Sequence, residues 1–372
     1  MAGKPGSEST LQHVLLHPLI SSGFGNLVRL VAAYGCDARY APRLAYLLLV
    51  TLLRQPVIWW EAARYGRRVR EQRIVPPVFI IGHWRSGTTH LHNVMAQDPQ
   101  FGRVTLLQAG MPNDFLTLSR FAIKRVAGQL PDKRLMDDVP VYAAAPWEEE
   151  MALTSTGRMS FYHVSFFPRS MGRIFNEAVM FDGGDPALQA TWKQQYLAFL
   201  RKVQFAEHDK PLLLKNPANT ARITLLREMF PGARFVHIRR NPYKVYVSSI
   251  HLYLKAQEAW GLHKTSRESV AEQILDTYPQ LMNAYFEQRG ELREHELVEV
   301  RYKDLQDNPM ELMASIYEQL DLPGFADAAP RFEAYLDSQR DYKKNVLPIT
   351  PEEKALVAER WRPIFDKLGY PL

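Results

Sequence analysis

Apolar residues fall into two patterns along this chain. Val78–Ile81, Leu212–Leu214 with Lys215 at its end, Arg234–Ile238 and Leu297–Tyr302 are short, mostly apolar runs. They are rich in β-branched, aromatic and leucine residues and too short for helices, so they predict strands, the first two of them buried. Between them the spacing turns helical. Leu91–Met95 follows the first run, and residues 187–205 carry Trp192, Tyr196 and Phe199 on one stripe. A helix is expected from Thr220 to Phe230, closed by Pro231-Gly232. Asn241-Pro242 and Asn308-Pro309 each set a capping asparagine before a first-turn proline, opening two more helices. Strands alternating with helices imply an α/β fold, a parallel sheet flanked by helices on both faces. Ligands bind such sheets at the carboxyl ends of the strands.

Residues 1–75 read differently, as an N-terminal helical segment ahead of an α/β domain over 76–372. Leu44–Leu53 is almost wholly apolar, and Arg54, Gln55 and Pro56 interrupt it, which leaves it short of the roughly 20 residues a bilayer span needs. Val57–Trp60 and then Arg64, Arg67, Arg68, Arg70 and Arg73 follow. Two readings stand: a peripheral, interfacial membrane anchor, or a buried helix followed by a solvated basic one.

The first strand runs into Gly82-His83-Trp84-Arg85-Ser86-Gly87-Thr88-Thr89. Strand, glycine loop and helix start make a nest of backbone N–H groups suited to a phosphate, and Ser86, Thr88 and Thr89 add hydroxyls. Gly82 and Gly87 have the spacing of a P-loop, yet Thr88 stands where the nucleotide-triphosphatase lysine belongs. The nearest cation is Arg85. A loop without that lysine suits a ligand with no γ-phosphate. Lys215 and Arg240 end two further strands on the same side of the sheet.

These residues resemble the sulfotransferases that use 3′-phosphoadenosine 5′-phosphosulfate (PAPS). Arg85-Ser86-Gly87-Thr88-Thr89 is similar to the 5′-phosphosulfate loop of the tyrosyl-protein and bacterial members, where cytosolic members carry lysine first. Arg240-Asn241-Pro242 with Ser248 matches the family's 3′-phosphate pair, an arginine and a serine eight residues on. Leu214-Lys215-Asn216-Pro217 sits where cytosolic members have Lys-Thr-His, so Pro217 replaces their catalytic histidine. The likeness covers about residues 77–345. It implies PAPS as co-substrate, Arg85, Ser86, Gly87, Thr88, Thr89, Arg240 and Ser248 as its binding residues, and Arg85 and Lys215 as cations on the leaving phosphate.

With the histidine absent, the proton acceptor is sought in Glu148-Glu149-Glu150, which resembles an acidic stretch of bacterial relatives. Neighbours on a helix diverge by about 100°, so only one or two can face a pocket. Glu149 shares a face with Leu153 and is the first choice, then Glu148. His90, His92 and His163 compete, and the acids could equally be ordinary helix-start residues. No spaced Cys/His cluster suggests a metal.

Composition narrows this further. In 372 residues, 46% are hydrophobic and 23% charged, which marks a globular chain. Net charge +6 favours an anionic ligand or surface, without the basic tracts that would suggest nucleic acid. A lone Cys36 rules out an internal disulfide and fits a reducing, cytoplasmic setting, at most peripheral on the membrane face. The expected partner is a small-molecule, lipid or glycan acceptor; oligomeric state is not legible. The alternatives are a small-molecule kinase or NTPase-like protein, and a non-catalytic membrane-associated nucleotide binder.

Overall fold

The computed structural model describes residues 17–118, 142–340 and 347–372. Its centre is a five-stranded parallel sheet in the order β2-β3-β1-β4-β5, with β1 Val78–Ile81, β2 Gly102–Arg103, β3 Leu212–Lys215, β4 Arg234–Arg239 and β5 Leu297–Arg301. The four strands expected from the apolar runs all form. The edge strand β2 was not anticipated, because two residues, Gly102 and Arg103, carry no apolar run.

The principal helices are α1 Phe24–Tyr34, α2 Ala41–Glu71, α3 Thr88–Met95, α4 Glu149–Thr156, α5 Pro186–Ala206, α6 Ile223–Met229, α7 Pro242–Trp260, α8 Arg267–Gln288, α9 Pro309–Gln319, α10 Phe325–Ser338 and α11 Pro351–Leu368. The pleat of β1 shows that both sheet faces are covered. Val78 and Ile80 pack with Leu91, Val94, Met313, Ile316 and Phe332 from α3, α9 and α10. Phe79 and Ile81 belong to the opposite core with Leu281, Tyr285 and Trp361 from α8 and α11. A strand buried on both faces has no polar side, which is why it reads as a continuous apolar run.

Several boundaries differ from expectation. The helix after β3 begins later than Thr220, because Pro217–Ala221 forms a tight 3-10 turn and α6 starts only at Ile223. Asn241 caps α7 through its side chain, which accepts from the Lys244 N–H; Asn308 makes no such bond, although Pro309 still opens α9. The apolar run at Leu44 does not stop at Arg54: α2 continues through Pro56 for 31 residues. Among the described residues it is the one helix long and apolar enough, by length and composition, to cross a membrane, and only 11% of that window is buried in the protein.

The register positions the site. Ile80 pairs with Lys215 and Ile81 with His237, so β3 and β4 end on either side of the loop that leaves β1. Strand order turns at β1, between neighbours that both come later in the chain, and at such a switch point the strand-end loops part to leave a crevice.

Candidate active site

The loop from Gly82 to Gly87 is shaped by two close approaches. Gly82 has φ 133°, and a Cβ there would run into the Ile238 carbonyl oxygen. Gly87 has φ 107°, and a Cβ there would enter the Tyr302 ring. Neither position has room for a side chain, and positive φ disfavours one in any case. The Gly82 N–H is tied to Thr220 Oγ1 at 2.8 Å, and Ser86 N–H to the His83 carbonyl at 3.1 Å. α3 then begins at Thr88 with no side-chain cap, so its first N–H groups and its positive dipole end face the crevice. Ser86 Oγ is buried and has no partner among the described residues. A buried, unmatched hydroxyl beside uncapped amides fits a phosphate oxygen.

The predicted cations converge here. Arg85 donates from Nε to Ser248 Oγ at 2.8 Å, and Arg240 donates to the Arg85 carbonyl at 3.0 Å. The Arg240 guanidinium lies over the Tyr302 ring, 4.5 Å from its centre. Lys215 donates to Thr89 Oγ1 at 3.3 Å and is paired with Glu148. Two sets of contacts thus meet at the loop, Arg240 with Arg85 and Ser248, and Thr89 with Lys215 and Glu148, drawing in residues up to 163 positions apart.

Glu148 owes its place to the strand-like pairing that follows β2. Thr105 bridges Pro146, and the Trp147 N–H donates to the Val104 carbonyl at 2.8 Å. Glu148 then serves as the N-cap position of α4 and remains partly exposed beside Lys215. Its neighbours turn away. Glu149 is fully buried, receiving the Tyr196 hydroxyl at 2.8 Å and the Asn219 amide at 3.3 Å. Glu150 is also fully buried, receiving Asn216 Nδ2 at 2.6 Å and the Phe161 N–H at 2.7 Å, with Arg222 at 3.4 Å. The triplet therefore splits as helical divergence requires, with Glu148, not Glu149, on the crevice side.

Burial raises the Glu149 carboxyl from its usual 4.5 to about 7, against the hydrogen bonds that favour its charged form. A carboxyl whose folded pKa is raised contributes stability that is fully present below pH 4.5 and lost as pH rises through about 7. Replacing it by neutral glutamine is expected to flatten the fall in melting temperature across that window. A Glu149→Gln protein whose melting temperature keeps the parent's pH dependence would contradict this assignment.

Two of the competing histidines are fully buried. His163 is buried, bonded to the Thr154 carbonyl, and lowered to about 4 by burial. His92 is buried and held well below its usual value by burial and by nearby Lys215 and Arg103. His90 is half-buried on α3. Among the described residues no group of three His, Cys, Asp or Glu side chains could hold a metal ion.

Sequence reasoning missed Tyr302, which abuts Gly87 and supports Arg240, and the buried group Tyr196, Asn216, Asn219 and Arg222 behind the acids. The signal for the latter was present. Asn216, Asn219, Thr220 and Arg222 crowd polar side chains into the residues just after a buried strand, at the start of the expected helix.

Residues 76–327 match the model of the sulfotransferase family. The ω-hydroxy-β-dihydromenaquinone-9 sulfotransferases Stf3 of Mycobacterium bovis and Mycobacterium tuberculosis are 34% identical over 312 residues, covering 84% of this chain and 80% of theirs. The crystal structure of sulfotransferase STF9 from Mycobacterium avium superposes with a TM-score of 0.69 at 18% identity, covering 95% of this chain and 98% of that one. Sulfotransferase STF1 from Mycobacterium tuberculosis gives 0.64 at 17% identity, covering 96% and 93%. These two likenesses concern the fold.

Proposed function

Because the chain belongs to the sulfotransferase family and is an enzyme of sulfuryl transfer, we propose that it moves the sulfuryl group of PAPS to a hydroxyl of a lipid-like acceptor. The observation that carries the site assignment is the contact chain from Ser248 through Arg85 and Arg240 to the loop, with Lys215 and Glu148 across the crevice. The α3 amides with Ser86, Gly87, Thr88 and Thr89 hold the 5′-phosphosulfate. Arg240 and Ser248 hold the 3′-phosphate; a guanidinium fixed over an aromatic ring keeps its donors aimed outward for bidentate binding.

The reaction is an in-line displacement at sulfur. The acceptor oxygen bonds to sulfur, the bond from sulfur to the 5′-phosphate oxygen breaks, and the proton passes to Glu148. Lys215 and Arg85 neutralise charge as it accumulates on the departing phosphate, by the positioning and electrostatic logic of phosphoryl transfer. The named acceptor of the Stf3 relatives is a hydroxylated dihydromenaquinone. Their identity over most of the chain supports a hydroxyl on an apolar body here, over a glycan. Neither the kinase reading nor the non-catalytic one draws support from the family.

Nucleotide preference tests the site. 3′-Phosphoadenosine 5′-phosphate at a hundredfold excess over Kd is expected to stabilise the protein by about 2.7 kcal/mol, and ATP far less. Arg240→Ala should erase most of that difference. Equal thermal shifts from the two nucleotides in the parent enzyme would overturn the 3′-phosphate assignment.

A further inference from the structure

Helix α2 is built inside out. Beyond Leu47, which is buried in the core, the side chains it turns toward the protein are mainly polar: Thr51 is fully buried, Arg54 donates to both oxygens of buried Asp114 at 2.6 Å, and buried Glu61 pairs with Lys202 and receives the Thr117 N–H at 2.6 Å. Its outward face carries Leu49, Leu52, Leu53, Trp59 and Trp60, each between 53% and 68% exposed, with Pro56 exposed among them. At 3.6 residues per turn these six lie within an arc of about 120°. Arg64, Arg67 and Arg68 prolong that arc toward the C-terminal end and are exposed. Glu71 offsets Arg67 in an exposed ion pair.

In water this arrangement is unfavourable in both directions, burying charge and exposing large apolar side chains. It becomes favourable where the outer face meets an apolar phase with anionic groups at its edge. We propose that this face of α2 docks on an anionic lipid bilayer. The helix lies in the interface with its leucines and tryptophans among the acyl chains and its arginines at the headgroup phosphates. A second copy of this chain fits less well, since its matching face brings the same excess of arginines. Spanning fits less well too, since it would strip Arg54 and Glu61 from Asp114 and Lys202. This surface stands apart from the chemistry proposed above, and its test does not depend on that chemistry.

The test is flotation of the full chain with vesicles of phosphatidylcholine containing roughly one-third phosphatidylglycerol, against pure phosphatidylcholine. The protein is expected to float with the anionic vesicles and to be released by salt. Trp59→Ser with Trp60→Ser, and separately Arg64→Glu, Arg67→Glu and Arg68→Glu together, should each lower partitioning by about tenfold or more. These positions are exposed, and the ring contacts of Arg64 with Tyr65 and Arg68 with Phe205 contribute little, so the melting temperature should move only slightly, which shows that lost binding is not lost folding. Flotation equal in parent and variants, or absent with both vesicles, overturns the proposal. So does resistance to carbonate extraction, which would mean a span. A dimer in sedimentation velocity that the tryptophan substitutions disperse would assign the face to a second copy instead.

Discussion

Glu148→Gln is expected to lower kcat by about 10²- to 10⁴-fold while leaving 3′-phosphoadenosine 5′-phosphate binding intact. Glu148 is the acid of the triplet that lies at the crevice, in contact with Lys215 and partly open to solvent. Glutamine keeps its size and its hydrogen-bond acceptor but cannot take a proton at neutral pH. The pH–rate profile should therefore lose its acidic limb, which a loss of mere packing would not cause. Glu148→Asp should retain part of the rate. Glu149→Gln serves as the contrast: its carboxyl is enclosed by Tyr196 and Asn219, so its loss should change stability with pH more than turnover. Near-normal kcat in Glu148→Gln would remove it as proton acceptor, and a collapse of kcat in Glu149→Gln alone would restore Glu149.

Arg222→Ala should destabilise the protein by about 3–5 kcal/mol, the range for removing one partner of a buried ion pair. Arg222 is 1% exposed, donates to Glu150 at 3.4 Å and to Asn219 Oδ1 at 3.0 Å, and lies over the Trp192 ring at 4.5 Å. Alanine removes the cation, the stacking and the donors together, leaving Glu150 charged in a sealed interior. Urea denaturation gives the measurement. Arg222→Met with Glu150→Leu should recover much of the loss, because an apolar pair leaves no charge uncompensated. Activity need not return with stability in that double variant, since Glu150 also holds Asn216, the residue after Lys215. A cost under about 1 kcal/mol for Arg222→Ala would show that Glu150 is satisfied without it.

The sheet was legible because a strand covered on both faces leaves a nearly unbroken apolar run, as β1 and β3 do and β4 does around His237, while the edge strand β5 alternates buried Val298 and Val300 with exposed Glu299 and Arg301. The loop was legible because Gly82 and Gly87 occupy backbone positions that exclude a Cβ, a local demand that spacing records. What escaped has a different physics. α2 continues through Pro56, since a proline costs one hydrogen bond that a long helix tolerates, and its inward polar groups are met by Asp114, Thr117 and Lys202, far along the chain. The division of labour among Glu148, Glu149 and Glu150 could be argued only as a divergence of directions. Which direction is the crevice depends on Trp147 being pinned to Val104, a contact that no periodicity reports.

The two ion pairs beneath α2 also bear on how this enzyme can be handled. An amphipathic leader is commonly regarded as a removable tether, trimmed away to obtain a more soluble catalytic fragment. Here trimming through residue 73 would take Arg54 from Asp114 and Glu61 from Lys202 on α5. The cut would thus unbalance charge inside the remaining body while leaving every site residue in the sequence. Detergent, or substitution of the outward leucines and tryptophans, is the gentler route to a protein that stays in solution.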